Sequence, residues 1–394
     1  MNRPLIRVKP RSARRARAGA PWIFSNEILL DAELRALPAG SLVRVEGDDG
    51  RKFGAGYFNL NSLIAVRLLE APAEAAIDRT FLAGRIARAR QLRERFFEQP
   101  FYRLVNAEGD GLPGLTIDRF GDVAVVQIST AGMERLLDDI VGALDEAIGP
   151  ACIVLRADSP SRSLEGLTNY VTTAKGTMPG RVRLEENGAV YFADLAEGQK
   201  SGWYYDQREN RAFAARLAPG RSVLDAYCYS GGFAIAAARA GARDVTGLDS
   251  SAPAIGLAEE AAAANGQGGV CRFVKADVVP EFERLASLDE TFELVLCDPP
   301  PFVRARKDLE AGAHAYRKLA RLAARVTART GFMMLSSCSH NISPERFEAE
   351  CAAGIARAGR RAALVRVAGA GFDHPVHPML AESAYLKALV YALD

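Results

Sequence analysis

The sequence predicts an α/β protein whose C-terminal half forms a doubly wound, mostly parallel twisted sheet. From Ser222 onward, short apolar runs typical of strands alternate with longer segments of helical periodicity, which is the pattern of a parallel sheet covered by helices. Residues 1–70 instead contain short alternating or β-branched runs separated by turns, which predicts a small N-terminal β-barrel or sheet module. A middle α/β domain is expected to connect the two.

Length and composition set the domain count and exclude several protein classes. The chain has 394 residues, of which 49% are hydrophobic and 25% charged, which excludes a disordered chain, a collagen-like fibre and a disulfide scaffold. Two or three domains are expected at this length, and we place their boundaries at 1–72, 73–188 and 189–394. Because 50 Lys and Arg residues face 48 Asp and Glu residues, any nucleic-acid binding must come from local basic patches.

Targeting and metal signals are weak in this sequence. No apolar run is long enough to predict a membrane span, and the Arg-rich N-terminus lacks the apolar region of a secretory signal. The six cysteines include no Cys-x-x-Cys pair, so we expect no metal site. Reduced thiols in a cytoplasmic protein are the better interpretation.

The N-terminal module begins with a strongly basic stretch. Its first 17 residues contain no acid and seven cations, namely Arg3, Arg7, Lys9, Arg11, Arg14, Arg15 and Arg17. Strand-like runs follow at 41–46 and 63–68. The stretch is interpreted either as a solvated arm or as a phosphate-binding patch, for which Arg11, Arg14 and Arg15 are the candidates.

The remaining elements follow from periodicity. The middle domain is predicted to contain a helix at 77–97, a strand at 123–128, a helix at 133–148 and a strand at 153–155. In the C-terminal domain the predicted strands are 222–226, 244–248, 270–275, 292–297 and 331–336, and the predicted helices are 233–240, 252–265 and 312–329.

The first motif that carries chemistry lies at the end of the first strand of the C-terminal sheet. An acid ends the strand, a glycine pair turns the chain and a helix follows, so the backbone can approach a ligand closely. A second acid, 18 residues past the first glycine, ends the next strand at a spacing that suits a ribose. The candidates are Asp225, Ala226, Tyr227, Gly231, Gly232, Phe233, Asp249 and Ser250. The alternative is an ordinary glycine turn.

Two further strand ends carry an acid. Asp277, followed by Val278, could accept from the exocyclic amine of an adenine, although a helix N-cap is an equal interpretation. Asp298 is followed by three prolines and Phe302, which suits a rigid loop that stacks a flipped base while the acid meets its polar edge. The candidates in this loop are Pro299, Pro300, Phe302 and Arg304. The basic residues from Arg304 to Arg329 are either a solvated helix face or a phosphate-binding surface.

Cys338 ends the last predicted strand, between Ser337 and Ser339. Ligands bind at this end of such sheets, so the thiol is a candidate nucleophile. At an ordinary pKa near 8.5 only about 3% of a thiol is ionised at pH 7, so nucleophilic use requires hydroxyl donors or a nearby cation. The alternative is a small residue that closes the sheet.

These motifs together resemble those of class I S-adenosylmethionine-dependent RNA methyltransferases. The resemblance rests on residues 225–233, 298–302 and 337–339. More closely, the chain is similar to the bacterial large-subunit rRNA cytosine-5 methyltransferases that carry an N-terminal PUA domain, and stretches 106–115, 198–200, 206–211, 373–375 and 385–387 support this. The resemblance covers essentially the whole chain and implies a Rossmann-like catalytic domain behind a PUA-like barrel.

The resemblance also implies roles for the candidate residues. S-adenosyl-L-methionine is the implied cofactor: Asp225 and the Gly231-Gly232 turn would hold its methionine part, Asp249 its ribose and Asp277 its adenine edge. Gln207 and Arg208 would close over it from the preceding helix. Cys338 would attack C6 of a cytosine, and Asp298, itself also a candidate cofactor contact, would hold the activated ring.

The implied partner is ribosomal RNA, specifically 23S, in the cytoplasm and away from membranes. A homodimer is compatible with the sequence, which leaves the oligomeric state open. Pro301 stands where some RNA cytosine-5 methyltransferases carry a second cysteine, so a single-cysteine route is implied and the base that removes the C5 proton stays open.

Two alternatives remain at this point. The enzyme could methylate a purine nitrogen through the Asp298 loop, with Cys338 structural. The chain could also be an RNA-binding scaffold without turnover, although its strand-end acids disfavour this.

Overall fold

The computed structural model describes residues 3–10, 13–196, 198 and 201–394. Its N-terminal part is a six-stranded sheet of order β2-β6-β5-β4-β1-β3, in which β1 and β4 are parallel and the other pairs antiparallel. The elements are β1 Leu5–Val8, α1 Ala13–Arg17, β2 Trp22–Ile23, β3 Ile28–Leu29, α2 Ala32–Arg35, β4 Ser41–Gly47, β5 Lys52–Phe58 and β6 Val66–Ala71. The predicted β-rich module is confirmed.

A five-stranded sheet of order β11-β10-β9-β8-β7 follows, with only β9 and β10 parallel. Its elements are α3 Arg79–Arg93, β7 Phe101–Asn106, β8 Leu115–Phe120, β9 Val123–Ile128, α4 Ala131–Arg135, α5 Leu137–Ile148, β10 Cys152–Ala157 and β11 Tyr170–Lys175. The predicted α/β character of this region is confirmed.

These two sheets share a hydrophobic core, because side chains of β5 and β6 pack with those of α3, α5 and the second sheet. Tyr57 is buried there and donates its hydroxyl hydrogen bond to the carbonyl of Pro113 at 2.7 Å. Gly132 leaves no room for a side chain, since a Cβ would lie 2.1 Å from the Tyr57 ring. Arg67 pairs with the buried Glu165 at 2.7 Å. The N-terminal module is therefore fused to its neighbour by packing.

The chain divides into two compact units. The first comprises Met1–Gly180, Asp194–Trp203 and Phe372–Ser383, and the second Arg181–Ala193, Tyr204–Gly371 and Ala384–Asp394. The remaining elements are β12 Arg181–Glu186, β13 Ala189–Asp194, α6 Arg208–Leu217, β14 Ser222–Ala226, α7 Gly232–Arg239, β15 Asp244–Asp249, α8 Ala252–Ala264, β16 Cys271–Lys275, α9 Val278–Ser287, β17 Phe292–Cys297, α10 Leu309–Val326, β18 Thr327–Ser337, α11 Pro344–Arg357, β19 Ala362–Ala368 and β20 Lys387–Leu393. The predicted division at 72 and 188 stays a prediction.

The second unit is built on a seven-stranded sheet of order β16-β15-β14-β17-β18-β20-β19. Strands β14 to β18 are mutually parallel, and β20 runs antiparallel to both of its neighbours. Consecutive residues of β14 point to opposite faces of the sheet and enter different cores. Leu224 packs with α9, α10 and α11, and Val223 packs with α6 and α7. Helices therefore cover both faces, and the predicted doubly wound sheet is confirmed.

Several predicted boundaries were wrong for local reasons. The helix predicted at 133–148 is two helices, interrupted at Leu136. Helix α10 begins at Leu309 rather than Gly312. Gly312 lies inside the helix, where a Cβ would be 2.4 Å from Val303, so close packing requires a glycine there. The strand predicted from Gly331 begins at Thr327. Strand β6 begins at Val66, since the preceding residues form a turn.

Within the described residues, no helix is both long and apolar enough to cross a membrane. In the same residues, no group of three or more His, Cys, Asp or Glu side chains is arranged to hold a metal ion.

Candidate active site

The carboxyl ends of β14 to β18 lie at one edge of the second unit's sheet and bring the predicted strand-end residues together. Asp225 is the penultimate residue of β14, and Asp249 ends β15. Asp298 follows β17, and its N–H donates to the carbonyl of Ala226 at 3.3 Å. Cys338 follows β18. Ligands bind at this edge in open parallel sheets.

The loop between β14 and α7 is conformationally strained. Tyr227 and Tyr229 adopt left-handed backbone conformations with φ of 64° and 48°, and Gly231 follows with φ of 80°. Non-glycine residues with positive φ cost free energy and concentrate at ligand sites. Gly232 and Phe233 then begin α7 and are buried. This loop fits a tight backbone cradle better than an ordinary turn.

Asp225 is buried, with a relative exposure of 1%. One carboxylate oxygen accepts from the N–H of Ala234 at 2.9 Å, and the other has no hydrogen-bond partner among the described residues. Burial raises the pKa of Asp225 to about 7; the Ala234 bond opposes this shift, and the charges of Asp298 and Asp249 add to it. An unsatisfied buried carboxylate oxygen is costly unless a cation or donor completes it.

Asp249 is held by the backbone. Its two oxygens accept from the N–H groups of Tyr229 at 2.9 Å and Ser251 at 2.8 Å, which fixes the carboxylate while leaving lone pairs for a ligand. Ser250 is exposed beside it. Asp277 occupies the N-cap position of α9 but makes no side-chain capping bond. Its carboxylate is exposed and can therefore contact a ligand, whereas the next residue, Val278, lies in the core.

These residues fit S-adenosylmethionine. The carboxylate oxygen of Asp225 that has no partner among the described residues suits the cationic amino group of the cofactor's methionine part. The strained loop lets the backbone lie close to the methionine chain, and Asp249 suits the ribose hydroxyls. The individual assignments stay predictions.

Gln207 and Arg208 stand at the start of α6 and differ in their partners. Gln207 donates from Nε2 to Asp298 at 2.9 Å and accepts from Asn210 at 2.7 Å, so it orients the Asp298 carboxylate. Arg208 points toward the buried Glu186, with N and O atoms 3.4 Å apart, and its guanidinium lies over the Tyr205 ring. Gln207 therefore joins the strand-end edge directly.

The loop after β17 and the end of β18 are connected by one hydroxyl network. Tyr316 of α10 accepts from Ser337 at 2.8 Å and bonds Ser339 at 2.8 Å. Ser339 accepts from the N–H of Val303 at 3.2 Å. The Phe302 ring packs 4.8 Å from the Tyr316 ring. Cys338 thus stands between two serines whose hydroxyls are fixed.

Lys387 is the cation at this end of the sheet. It begins β20, opposite Ser337, is 7% exposed, and donates to the carbonyls of Ser339 at 2.7 Å and Tyr385 at 2.9 Å. Burial lowers the pKa of Lys387, and the charge of Cys338 opposes that shift, which places the two groups close together. No carboxylate forms an ion pair with Lys387 in the described part of the chain.

Several of the other cysteines are more deeply buried than Cys338. Cys297 and Cys351 are buried, and burial raises the pKa of both thiols well above the ordinary value. Cys228 is buried behind the glycine loop, and burial raises its pKa likewise. Cys338 is only partly buried.

Tyr204 is a site residue that the sequence reasoning missed. Its ring meets Tyr229 edge-on at 5.4 Å. Burial raises the pKa of Tyr204, and the charges of Asp298 and Cys338 add to the shift, so the hydroxyl lies near both predicted catalytic groups. The aromatic run at 203–205 was the available signal.

The candidate RNA contacts lie in several places. Arg14 and Arg15 are exposed on α1, whose alanines are buried, and Arg304 and Pro300 are exposed after β17, where Pro299 is buried. Arg11, together with Gln199 and Lys200 of the resemblance, lies outside the described residues.

Comparison with protein families identifies both ends of the chain. Residues 6–71 match a PUA-like domain, and residues 176–392 match an S-adenosylmethionine-dependent methyltransferase family. The chain is 35% identical to ribosomal RNA large subunit methyltransferase I of Shewanella denitrificans over 390 residues, which is 98% of each chain. It is 34% identical to the protein of the same name from Shewanella amazonensis over 391 residues, again 98% of each.

Solved structures share the fold at lower sequence identity. A protein from Streptococcus mutans described as a SAM-dependent methyltransferase superposes with a TM-score of 0.84 at 21% identity, covering 99% of this chain and 100% of that one. A structure described as a methyltransferase complexed with SAH gives a TM-score of 0.85 at 21% identity and the same coverage.

Proposed function

The chain belongs to the S-adenosylmethionine-dependent methyltransferases and, within them, to the family of ribosomal RNA large subunit methyltransferase I, and from this premise we propose that it forms 5-methylcytosine in 23S rRNA. It is an rRNA methyltransferase that carries a PUA-like domain. The proposal concerns the target base and the covalent route. We expect it to act in the cytoplasm, where the large subunit is assembled.

One observation carries the proposal: the partly buried thiol of Cys338 stands at the ligand-binding edge of the sheet beside a buried cation that lacks a carboxylate partner in the described chain. A buried ammonium requires compensation. A thiolate at Cys338 supplies it, and in return the ammonium favours ionisation of the thiol. A purine amine needs no thiolate, so nitrogen methylation leaves this arrangement without a use.

The chemistry requires the thiol because C5 of cytosine is a poor nucleophile. The Cys338 thiolate forms a bond from Sγ to C6 of the ring, and the electron pair of the C5–C6 double bond makes C5 nucleophilic. When bound, S-adenosylmethionine supplies its sulfonium methyl group to C5. Loss of the C5 proton then restores the double bond and breaks the bond to Sγ, which returns the free thiolate.

Asp298 holds the base in this account. Its carboxylate is oriented by Gln207 and lies at the start of a proline-fixed loop whose Phe302 ring is packed on Tyr316. A carboxylate there can accept from the exocyclic amine of cytosine and, once N3 of the activated ring is protonated, from N3–H, which stabilises that ring. Tyr204, near Asp298 and Cys338, is placed to contact the same base.

The test is mass spectrometry of nucleosides from 23S rRNA of cells with and without the gene. We expect one 5-methylcytidine to disappear on deletion and to return with the wild-type gene. Loss of a methylated purine with 5-methylcytidine unchanged would contradict the proposal and favour nitrogen methylation. Unchanged modification throughout would favour a scaffold without turnover.

A further inference from the structure

Helix α3 of the first unit carries arginines that the methyl-transfer site does not use. Most of them have partners: Arg79 pairs with Glu146, Arg90 with Glu94, and the buried Arg93 with Asp110. Arg88 and Arg95 are exposed and, among the described residues, form no ion pair and no side-chain hydrogen bond. Arg88 lies on the C-terminal half of α3 and Arg95 in the turn that directly follows it, and both line the same cavity.

A cavity of about 420 Å³ lies along this face. Its lining includes Arg85, Arg88, Gln91 and Arg95 from the helix side and Asp110 from the loop after β7. The one carboxylate among these is neutralised, because both oxygens of Asp110 accept from Arg93 at 2.6 and 2.7 Å. The cavity is therefore electropositive and suits an anion.

Two exposed aromatic rings, one just after the end of α3 and one from the segment 372–383, stack on each other. Phe96 is 52% exposed and Phe372 is 57% exposed, and their rings stack with centroids 5.1 Å apart and planes 22° apart. Phe96 comes immediately after Arg95. Large apolar rings left this exposed as a stacked pair mark an interaction site rather than a core.

The aromatic pair is held firmly against the cavity wall. The segment that begins at Phe372 is fixed where Arg93 donates to the carbonyl of Asp373 at 2.8 Å and Asn106 donates to that of Pro375 at 3.1 Å. Gly109, which lines the cavity, lies so close to the Pro375 carbonyl that a Cβ would be 1.9 Å from its oxygen. The cavity and the rings therefore form one continuous surface.

We propose that this surface binds single-stranded RNA, with phosphates at Arg88 and Arg95 and a base stacked on the Phe96–Phe372 pair. Positive grooves flanked by aromatic rings bind single strands, because rings stack on bases and cations meet the backbone. A duplex keeps its bases stacked and cannot use the rings. The inference rests on the proposed function only in taking RNA as the substrate; it concerns how flanking RNA is held.

The electrostatic half is tested with a fluorescein-labelled 12-nucleotide uridine strand titrated against the full-length protein at several salt concentrations. Arg88→Gln and Arg95→Gln should each reduce the slope of log affinity against log salt by about 0.7. Arg79→Gln is the matched control, since it removes the same charge from the same helix at an arginine that is already paired, and its slope should equal that of the wild type. Equal slopes in all four proteins would overturn the phosphate assignment.

The stacking half is tested with Phe96→Ala and Phe372→Ala, which should each weaken binding of the same strand by about tenfold without changing the salt slope. Leu164→Ala, at a 73% exposed leucine of the same unit, is the control and should bind normally. A 12-base-pair RNA duplex should compete poorly with the strand. Unchanged affinity in both phenylalanine variants, or equal competition by the duplex, would contradict the proposal.

The outcome is separable from the proposed reaction. Binding of the uridine strand involves no cytosine and no methyl transfer, so it stands or falls independently of the modified base. If the phenylalanine variants bind normally while 23S rRNA still loses 5-methylcytidine on gene deletion, only this inference fails. If the variants lose binding while the modified nucleoside is a purine, only the cytosine reaction fails.

Discussion

The two ends of the ligand-binding edge in the second unit are built in different ways. At β14 and β15, the acids are positioned by backbone N–H groups at most 20 residues away in sequence: Ala234 holds Asp225, and Tyr229 and Ser251 hold Asp249. At β18, the thiol is surrounded by side chains that come from distant elements, namely Tyr316 of α10 and Lys387 of β20. The first end is set by a local loop and the second by the tertiary fold, so they should fail in different ways when altered.

The largest effect is expected from Cys338→Ala. Without the thiolate C5 cannot be activated, so methyl transfer should fall by at least about 1,000-fold, while cofactor affinity at the other end stays unchanged. Methyl transfer is measured with radiolabelled cofactor and 23S rRNA, and affinity by calorimetry. Cys271→Ala, at the first residue of edge strand β16, is the control and should remain active. Full activity of Cys338→Ala would refute the assignment of Cys338 as the nucleophile.

Asp249→Ala should weaken cofactor binding and leave the Cys338 end of the sheet unchanged. Loss of two charge-assisted bonds to the ribose costs about 3–6 kcal/mol, or more than 100-fold in affinity for S-adenosylhomocysteine. Alkylation of the Cys338 thiol by iodoacetamide, which needs no cofactor, should be unchanged. Asp244→Ala, at the exposed opposite end of the same strand, is the matched control and should bind normally. Near-native affinity of Asp249→Ala in a folded protein would refute the ribose assignment.

Lys387→Met tests whether the cation serves the thiol. Removing a positive charge disfavours the thiolate, so the pH midpoint for alkylation of Cys338 by iodoacetamide should rise by about one unit. Below that midpoint the alkylation rate of Lys387→Met should be about tenfold lower than that of the wild type, and at high pH the two rates should be equal. Lys387→Arg, which keeps the positive charge, should have a pH midpoint close to that of the wild type. An unchanged midpoint in Lys387→Met would leave the lysine a purely structural role.

The smallest effect is the pH dependence of cofactor binding. Because burial raises the pKa of Asp225 to about 7, the free protein carries a mostly neutral carboxyl at pH 6 and a mostly ionised one at pH 7.5. A cationic amino group binds the ionised form, so affinity for S-adenosylhomocysteine should rise about eightfold over this range, the ratio of the ionised fractions. Methylthioadenosine, which lacks the amino group, should show a flat profile, as should Asp225→Asn. A profile that falls with pH would contradict the assignment.

The same contrast explains what the sequence could predict. Alternating strands and helices predicted the sheet, because parallel strands must be covered on both faces. The candidates Asp225, Asp249, Asp298 and Cys338 were found by position alone, since each closely follows or ends a strand. Their placement at one edge is a consequence of parallel pairing, which the alternation already implied.

The sequence could not predict contacts between residues far apart in the chain. Nothing local to Lys387 marks it as a neighbour of Cys338; only the antiparallel pairing of β20 with β18 brings it there. Tyr316 lies inside an amphipathic helix, where an aromatic residue predicts a core position. The sequence predicts a helix start at Gly312, because the close packing of this glycine against Val303 cannot be seen in one sequence.

The fusion of the N-terminal module to its neighbour was equally hidden. The module shares a core with the second sheet through Tyr57 and an ion pair through Arg67. Removal of residues 1–70 would therefore expose apolar surface as well as delete basic residues. Charge-removing substitutions at Arg14 and Arg15 are the cleaner probe of the basic patch.

The most direct test of the central claim uses RNA in which 5-fluorocytosine replaces cytosine. Fluorine at C5 cannot leave as a proton does, so the bond between Sγ and C6 cannot be released after methyl transfer. We expect a covalent protein–RNA complex that forms only with cofactor, survives denaturation and maps by peptide mass spectrometry to Cys338. The absence of any adduct on wild-type protein that methylates unmodified RNA, or an adduct on a different cysteine, would contradict it.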